Sequence, residues 1–110
     1  MFGRRKVNEV DVEQFAAAHA SNAAVIDVRE AYEFDAGHVP GATLVPLGDL
    51  GARISELPAA RPLYVICARG NRSLVAANAL TRAGVEAYSV AGGMAAWVRG
   101  GRDVVTKQSR

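Results

Sequence analysis

This sequence has little cysteine, no long hydrophobic run and no large excess of either charge. The 110 residues include one cysteine, Cys67. A single cysteine excludes an internal disulfide and agrees with a reducing compartment, so we expect a cytoplasmic protein. No hydrophobic stretch is long enough to span a bilayer, and we therefore expect no membrane partner.

Charge is nearly balanced, with a formal net charge of +2. The basic residues are scattered along the chain instead of collecting on one helix, so nucleic acid is not an expected partner. The cluster "RRK" at residues 4–6 is followed by the polar "VNEVDVEQF", where a signal peptide would continue with an apolar run. We expect this N-terminal cluster to be a solvated tail.

The composition is that of one globular domain. Half of the residues are hydrophobic and 22% are charged, which provides a core without disulfide or metal staples. Neither internal repeats nor low-complexity linkers interrupt the chain. We expect a frayed segment over residues 1–6, a domain over 7–105 and a tail over 106–110.

Hydrophobic patterning predicts strands that alternate with helices. The predicted strands cover residues 6–10, 23–29, 43–47, 62–67 and 86–90. The predicted helices cover residues 12–19, 50–57 and 73–83, with a short fourth helix that ends at Gly100. Asp11 and Gln14 form a capping-box pattern before the first helix, and Asp49 is a candidate cap for the second. Residues 30–42 are predicted to be mostly loop, with a possible turn of helix. The alternation predicts an α/β fold: a mainly parallel sheet of about five strands, with helices on both faces.

The segment "CARGNRS", residues 67–73, follows the most convincing buried strand. Ligands of open α/β sheets bind at the carboxyl ends of the strands. Backbone N–H groups in the turn and the start of the next helix favour an anion there, so a thiol at this point should have a lowered pKa and form a thiolate. Arg69 and Arg72 add positive charge, and Gly70 permits an unusual backbone turn. The alternative is an inert core cysteine, but such a residue has no need of a basic loop beside it.

Four segments together resemble one known family. "CARGNRS" is similar to the active loop of the rhodanese-like sulfurtransferases, and "DVREAYEFDAGHVPGATLVPL" and "GGMAAW" resemble two further segments of that family. The "VDVEQFAA" helix fits its N-terminal part. The four occur in the family's order between residues 7 and 105. The resemblance implies the three-layer rhodanese-like fold.

The same resemblance implies a persulfide mechanism without a metal or organic cofactor. Cys67 would take a sulfane sulfur from a donor such as thiosulfate and pass it to cyanide or to a thiol. The acceptor must be external, because there is no second cysteine. The transferred sulfur would lie against the backbone of Ala68, Arg69, Gly70, Asn71, Arg72 and Ser73.

Two alternatives stay open beside this interpretation. Many single-domain relatives have a polar or basic residue directly after the cysteine, where this chain has Ala68. That difference favours a sulfur-carrier or protein-binding module loaded by a sulfur-delivering protein. A phosphatase or arsenate reductase is disfavoured, because four residues separate Cys67 from Arg72, where those enzymes have five.

Several polar residues outside this loop have two interpretations. Asp27 and Arg29 could tune the loop as second-layer residues, or Arg29 could pair with Glu33 and fix the chain above the sheet, which we favour. His38 is expected to bind loop backbone and not to transfer protons. Ser73 could contact the sulfur, cap its helix or do both, and Trp97 with Met94 is expected in the core.

Overall fold

A computed structural model describes residues 8–107 and shows a five-stranded, fully parallel sheet. The strands are β1 (Glu9–Val10), β2 (Ala24–Asp27), β3 (Thr43–Leu44), β4 (Leu63–Ile66) and β5 (Ala87–Val90). Their order across the sheet is β1-β5-β4-β2-β3, which makes β4 the central strand. The α/β fold predicted from the alternation of strands and helices is confirmed.

Within residues 8–107, four α-helices cover the sheet. They are α1 (Val12–Ala20), α2 (Ala31–Ala36), α3 (Asn71–Arg82) and α4 (Gly93–Arg99). The predicted capping box starts α1: Asp11 Oδ1 accepts from the Gln14 N–H at 2.7 Å, and Gln14 Oε1 accepts from the Asp11 N–H at 3.0 Å. The capping box therefore satisfies N–H groups at the start of α1 that have no partner within the helix.

Both faces of the sheet are buried, and the alternation along β4 shows how. Leu63 and Val65 pack with α3, while Ile66 lies in the opposite core with Phe15 of α1 and Trp97 of α4. Successive strand residues point to opposite faces, so a strand covered on both sides is apolar throughout. The result is the predicted three-layer arrangement. Met94 and Trp97 are core residues, as expected.

Several predicted elements differ from the structure in kind or in bounds. The segment predicted to be mostly loop contains the six-residue helix α2, and the helix predicted over residues 50–57 consists of 3₁₀ turns, Leu47–Asp49 and Gly51–Glu56. Asp49 ends the first of these turns and makes no side-chain cap. The strand predicted over 43–47 has two residues, because Pro46 lacks the N–H that would continue it.

The ends of the predicted domain are only partly covered. Residues 1–7 and 108–110, with the basic cluster and the start of the first predicted strand, lie outside the described residues. Val105 and His38 exchange backbone hydrogen bonds of 2.9 Å, so the chain after α4 packs back on the segment that follows α2. Within residues 8–107, no helix combines the length and the apolar character that crossing a membrane requires.

Candidate active site

Strand β4 carries Cys67 to the carboxyl edge of the sheet. The residue is 1% exposed and continues the side of β4 that faces α3. It forms the floor of an open cavity of about 270 Å³, also lined by Ala68, Arg69, Asn71 and Arg72. Both interpretations of the cysteine are thus partly met: it is packed in the core, and it closes the bottom of a cleft.

Three polar groups contact the Cys67 sulfur, and we call these three groups the cradle. The N–H groups of Gly70 and Ser73 donate to Sγ at 3.1 and 3.3 Å, and the Ser73 hydroxyl lies 3.3 Å from it. Burial works to raise the pKa of the Cys67 thiol, but the Ser73 hydroxyl and the backbone N–H groups of Ser73, Gly70 and Arg69 oppose it. The pKa is lowered overall.

The cradle forms because α3 begins at Asn71, which is two residues earlier than predicted. Gly70, at φ +103°, precedes the first helical residue Asn71, so Ser73 lies in the first turn. The N–H groups of a first turn have no partner within the helix. That of Ser73 binds the sulfur instead. Ser73 therefore contacts the sulfur and does not cap the helix.

Ser89 is a site residue that the sequence did not suggest. Its hydroxyl lies 2.7 Å from the Ser73 hydroxyl, and both serines are fully buried. Ser89 belongs to β5 and pairs in register with Val65 of β4, which places it behind the cradle. The only signal in the sequence is a serine inside the otherwise apolar "AYSV", where a buried hydroxyl needs a partner.

Arg72 is held by an acidic residue of α2. Its Nη1 and Nη2 donate to Oε1 and Oε2 of Glu33 at 2.8 and 3.0 Å, and Glu33 Oε1 also accepts from the Glu30 N–H at 2.9 Å. The hydrogen bonding from Arg72 lowers the pKa of Glu33 to about 2. Arg69, by contrast, is exposed, and its guanidinium has no ion-pair partner within residues 8–107.

Asp27 and Arg29 form a buried ion pair with each other. Arg29 Nη2 lies 2.8 Å from Asp27 Oδ2 and donates to the Gly37 carbonyl at the same distance. The predicted Arg29–Glu33 pair is wrong, because Glu33 is taken by Arg72. Arg29 still fixes the chain above the sheet, but through Asp27 and the backbone of Gly37.

Neither histidine faces the thiol. His38 Nδ1 lies 2.7 Å from the Phe34 carbonyl, so it binds loop backbone as predicted. His19 Nε2 lies 2.8 Å from the Pro40 carbonyl and must carry the proton there. A larger cavity of about 500 Å³ lies beside His19 at the opposite, amino edge of β2. It has no cysteine, and its one histidine is committed to Pro40.

Comparison with known proteins gives one consistent family. Residues 11–99 match the family described as "Rhodanese-like domain". The chain is 36% identical to the Bacillus subtilis protein YqhL over 98 residues, which are 88% of this chain and 77% of YqhL. It is 33% identical over 94 residues to the Bacillus subtilis "Putative sulfur carrier protein YrkF", covering 83% of this chain and about half, 51%, of YrkF.

The fold agrees with solved members of the family. A rhodanese-related protein from Thermoplasma volcanium superposes with a TM-score of 0.84 and 28% identity, covering 91% of this chain and 99% of that structure. The superposition supports the same fold, which in this chain is a five-stranded parallel sheet between two helical layers. The family match covers residues 11–99. The chain belongs to the rhodanese-like domain family.

Proposed function

We propose that this protein is a sulfurtransferase that carries sulfur as a persulfide on Cys67, with thiosulfate as a donor. The observation that supports this most is the buried Cys67 thiol at the floor of an open cleft. The backbone N–H groups of Gly70 and Ser73 and the Ser73 hydroxyl all contact its sulfur. Donors placed in this way stabilise a thiolate, which is the reactive form. They can equally stabilise the terminal sulfur of a persulfide anion.

The proposed reaction has two displacement steps. The Cys67 thiolate attacks the outer sulfur of thiosulfate, the sulfur–sulfur bond of the donor breaks, and sulfite leaves with the electron pair. An acceptor such as cyanide, or a thiolate, then attacks the terminal sulfur of the persulfide. Thiocyanate or a new persulfide departs, and the Cys67 thiolate is regenerated. Neither step requires a general base when the thiolate is already formed, which agrees with the two histidines being elsewhere.

Recruitment of an anionic donor is assigned to Arg69. Its exposed guanidinium lines the cleft, and it lacks an acidic partner in the described part of the chain. Arg72 lines the same cleft, but Glu33 occupies both of its terminal nitrogens, Nη1 and Nη2. A small anion entering the cleft therefore meets the uncompensated charge of Arg69 first.

A phosphatase or arsenate reductase is disfavoured on two grounds. Four residues separate Cys67 from Arg72, so the loop is short for a tetrahedral oxyanion. Bidentate binding of phosphate would also need the Arg72 fork, which Glu33 already occupies in the same two-pronged geometry. Hydrolysis of an aryl phosphate that depends on Cys67 would contradict this argument.

A second candidate function is a sulfur carrier that a partner protein loads. Ala68 supports it, because a methyl group at the mouth of the cleft offers a small donor no hydrogen bond. The name of YrkF points the same way, although this chain spans only 51% of that relative. A cysteine desulfurase would be a suitable loading protein. In either function the single cysteine and a thiol acceptor suit a cytoplasmic location, which stays a prediction.

Intact mass spectrometry after incubation with a donor tests both functions. Thiosulfate and a cysteine desulfurase with free cysteine serve as the two donors, and Cys67→Ser is the control. Because the chain has one cysteine, any gain of a sulfur atom that Cys67→Ser abolishes is assigned to it. Rapid loading by thiosulfate supports the transferase, and loading by the desulfurase alone selects the carrier. Absence of loading from both donors would contradict both functions.

A further inference from the structure

The start of α4 binds the two residues that open the loop after β4. The Met94 N–H donates to the Cys67 carbonyl at 2.8 Å, and the Ala95 N–H donates to the Ala68 carbonyl at 3.0 Å. These are first-turn N–H groups, which have no acceptor within α4. The carbonyls of the two residues that open the loop are therefore fixed by a different element of the chain.

Fixing these carbonyls also fixes the N–H groups beyond them. A trans peptide is planar, and its carbonyl and N–H point in opposite directions. With the Cys67 and Ala68 carbonyls held towards α4, the N–H groups of Ala68 and Arg69 must point away from α4. The loop that begins with these two fixed peptides then brings the Gly70 and Ser73 N–H groups to the Cys67 sulfur, to which they donate at 3.1 and 3.3 Å.

Gly93 makes this close approach possible. A Cβ atom at this position would overlap the Cys67 carbonyl oxygen and would lie 2.8 Å from both the carbon and the oxygen of the Ala68 carbonyl. The obstacles are backbone atoms, which cannot swing aside as a flexible side chain can. Gly93 also has a φ of +54°, which disfavours a side chain independently.

We propose that Gly93 is a positioning residue for the cradle, because it lets α4 bind the Cys67 and Ala68 carbonyls and so fixes the start of the loop whose Gly70 and Ser73 N–H groups donate to the sulfur. This inference rests on the proposed function only in assigning the cradle a role in sulfur transfer. The effect of Gly93 on the cradle is measured through the ionisation of Cys67, which requires no sulfur donor. Failure to form a persulfide would therefore count against the proposed function and leave this inference intact.

The experiment compares Gly93→Ala with Gly101→Ala. Both glycines have a positive φ, +54° and +73°, so both variants carry backbone strain, but nothing lies within 4 Å of a Cβ built at Gly101. The measurement is the rate of alkylation of Cys67 by iodoacetamide against pH, together with the thermal midpoint. We expect Gly93→Ala to shift the profile to higher pH and to slow alkylation at neutral pH roughly tenfold, and Gly101→Ala to leave the profile unchanged.

A second variant keeps the test decisive if Gly93→Ala does not fold. Ala95→Pro removes the N–H that binds the Ala68 carbonyl. Ala95 is exposed and lies in the first turn of α4, where proline is tolerated. We expect a smaller shift in the same direction. A folded Gly93→Ala or Ala95→Pro with the wild-type alkylation profile would overturn the inference, even if its thermal midpoint fell.

Discussion

Glu33 and Arg72 are 39 positions apart in the chain and form a two-pronged ion pair at the rim of the cleft. Glu33 lies on α2 and Arg72 in the first turn of α3, so the pair ties two helices together across the carboxyl edge of the sheet. It has two effects on the cleft. It holds in place the first turn of α3, which carries Ser73 of the cradle. It also neutralises one of the two arginines that a donor would meet.

Disruption of this pair should show energetic coupling. We expect a double-mutant cycle with Glu33→Gln and Arg72→Ala to give a coupling free energy of about 1 kcal/mol by urea unfolding, because the pair is bidentate. The cycle with Glu56→Gln and Arg53→Ala is the control, since Glu56 is 60% exposed and contacts Arg53 through one short bond. Equal coupling in the two cycles would contradict the assigned role.

The same pair should lose its effect in acid. The folded-state pKa of Glu33 is about 2, below the ordinary value of 4.5, so the folded state binds the proton less readily than the unfolded state. The stabilisation is therefore complete above pH 4.5 and is lost as the pH falls towards 2. The difference in unfolding free energy between wild type and Glu33→Gln, measured at several pH values, should shrink over that window. A difference in unfolding free energy that stays constant over this pH range would contradict the lowered pKa of Glu33.

Removal of the Ser73 hydroxyl should weaken the thiolate. A hydrogen bond to a charged acceptor contributes about 1.5–3 kcal/mol, so we expect Ser73→Ala to raise the pKa of Cys67 and to slow its alkylation at neutral pH roughly tenfold or more. Ser89→Ala should act in the same direction but less, because Ser89 reaches the sulfur only through Ser73. Ser55→Ala, on an exposed serine, is the control. A wild-type profile for Ser73→Ala would refute the assignment.

The charge of Arg69 should matter for anionic donors in particular. We expect Arg69→Ala to raise the KM for thiosulfate roughly fivefold, which is the size of a partly screened ionic contact, with a smaller change at high salt. Arg82→Ala serves as the control, because Arg82 lies in the last turn of α3, at the other end of that helix. Steady-state kinetics at two salt concentrations provide the measurement. An equal effect of the two substitutions would mean that only net charge matters.

The Asp27–Arg29 pair should act on stability and not on the thiol. Asp27→Asn leaves the Arg29 charge buried without its carboxylate, and we expect the unfolding free energy to fall by about 3–5 kcal/mol. Under conditions where the variant is folded, its alkylation profile should match wild type. Urea unfolding and alkylation measure the two effects separately. A shifted thiol pKa in the folded variant would instead give Asp27 and Arg29 the tuning role.

The predicted elements that hold are those with local causes. The Asp11 capping box, the apolar strand before Cys67 and the glycine-containing loop after it are written in consecutive residues, and the parallel sheet follows from their alternation. Local patterning also placed Cys67 at a strand end. The loop and cleft could be located for that reason, before any contact was known.

The parts that were missed depend on contacts between distant residues. Helix α2 has only six residues and shows no hydrophobic stripe, and Glu33 ties it to Arg72 of α3. The partner of Arg29 could not be chosen from sequence, since Asp27 and Glu33 are both close to it along the chain. Ser89 and Gly93 act on the cradle only because β5 and α4 pack beside β4.

The central position of β4 determines how rarely the structure around Cys67 opens. The edge strands β1 and β3 have two residues each, so local opening of the sheet begins there and is shielded from β4 by β5 and β2. Amide protons of Val65 and Ile66 should therefore exchange with solvent only when the whole domain unfolds, while those of the edge strands exchange far sooner. Sulfur bound at Cys67 would then be attached directly after the strand whose amide protons exchange most slowly.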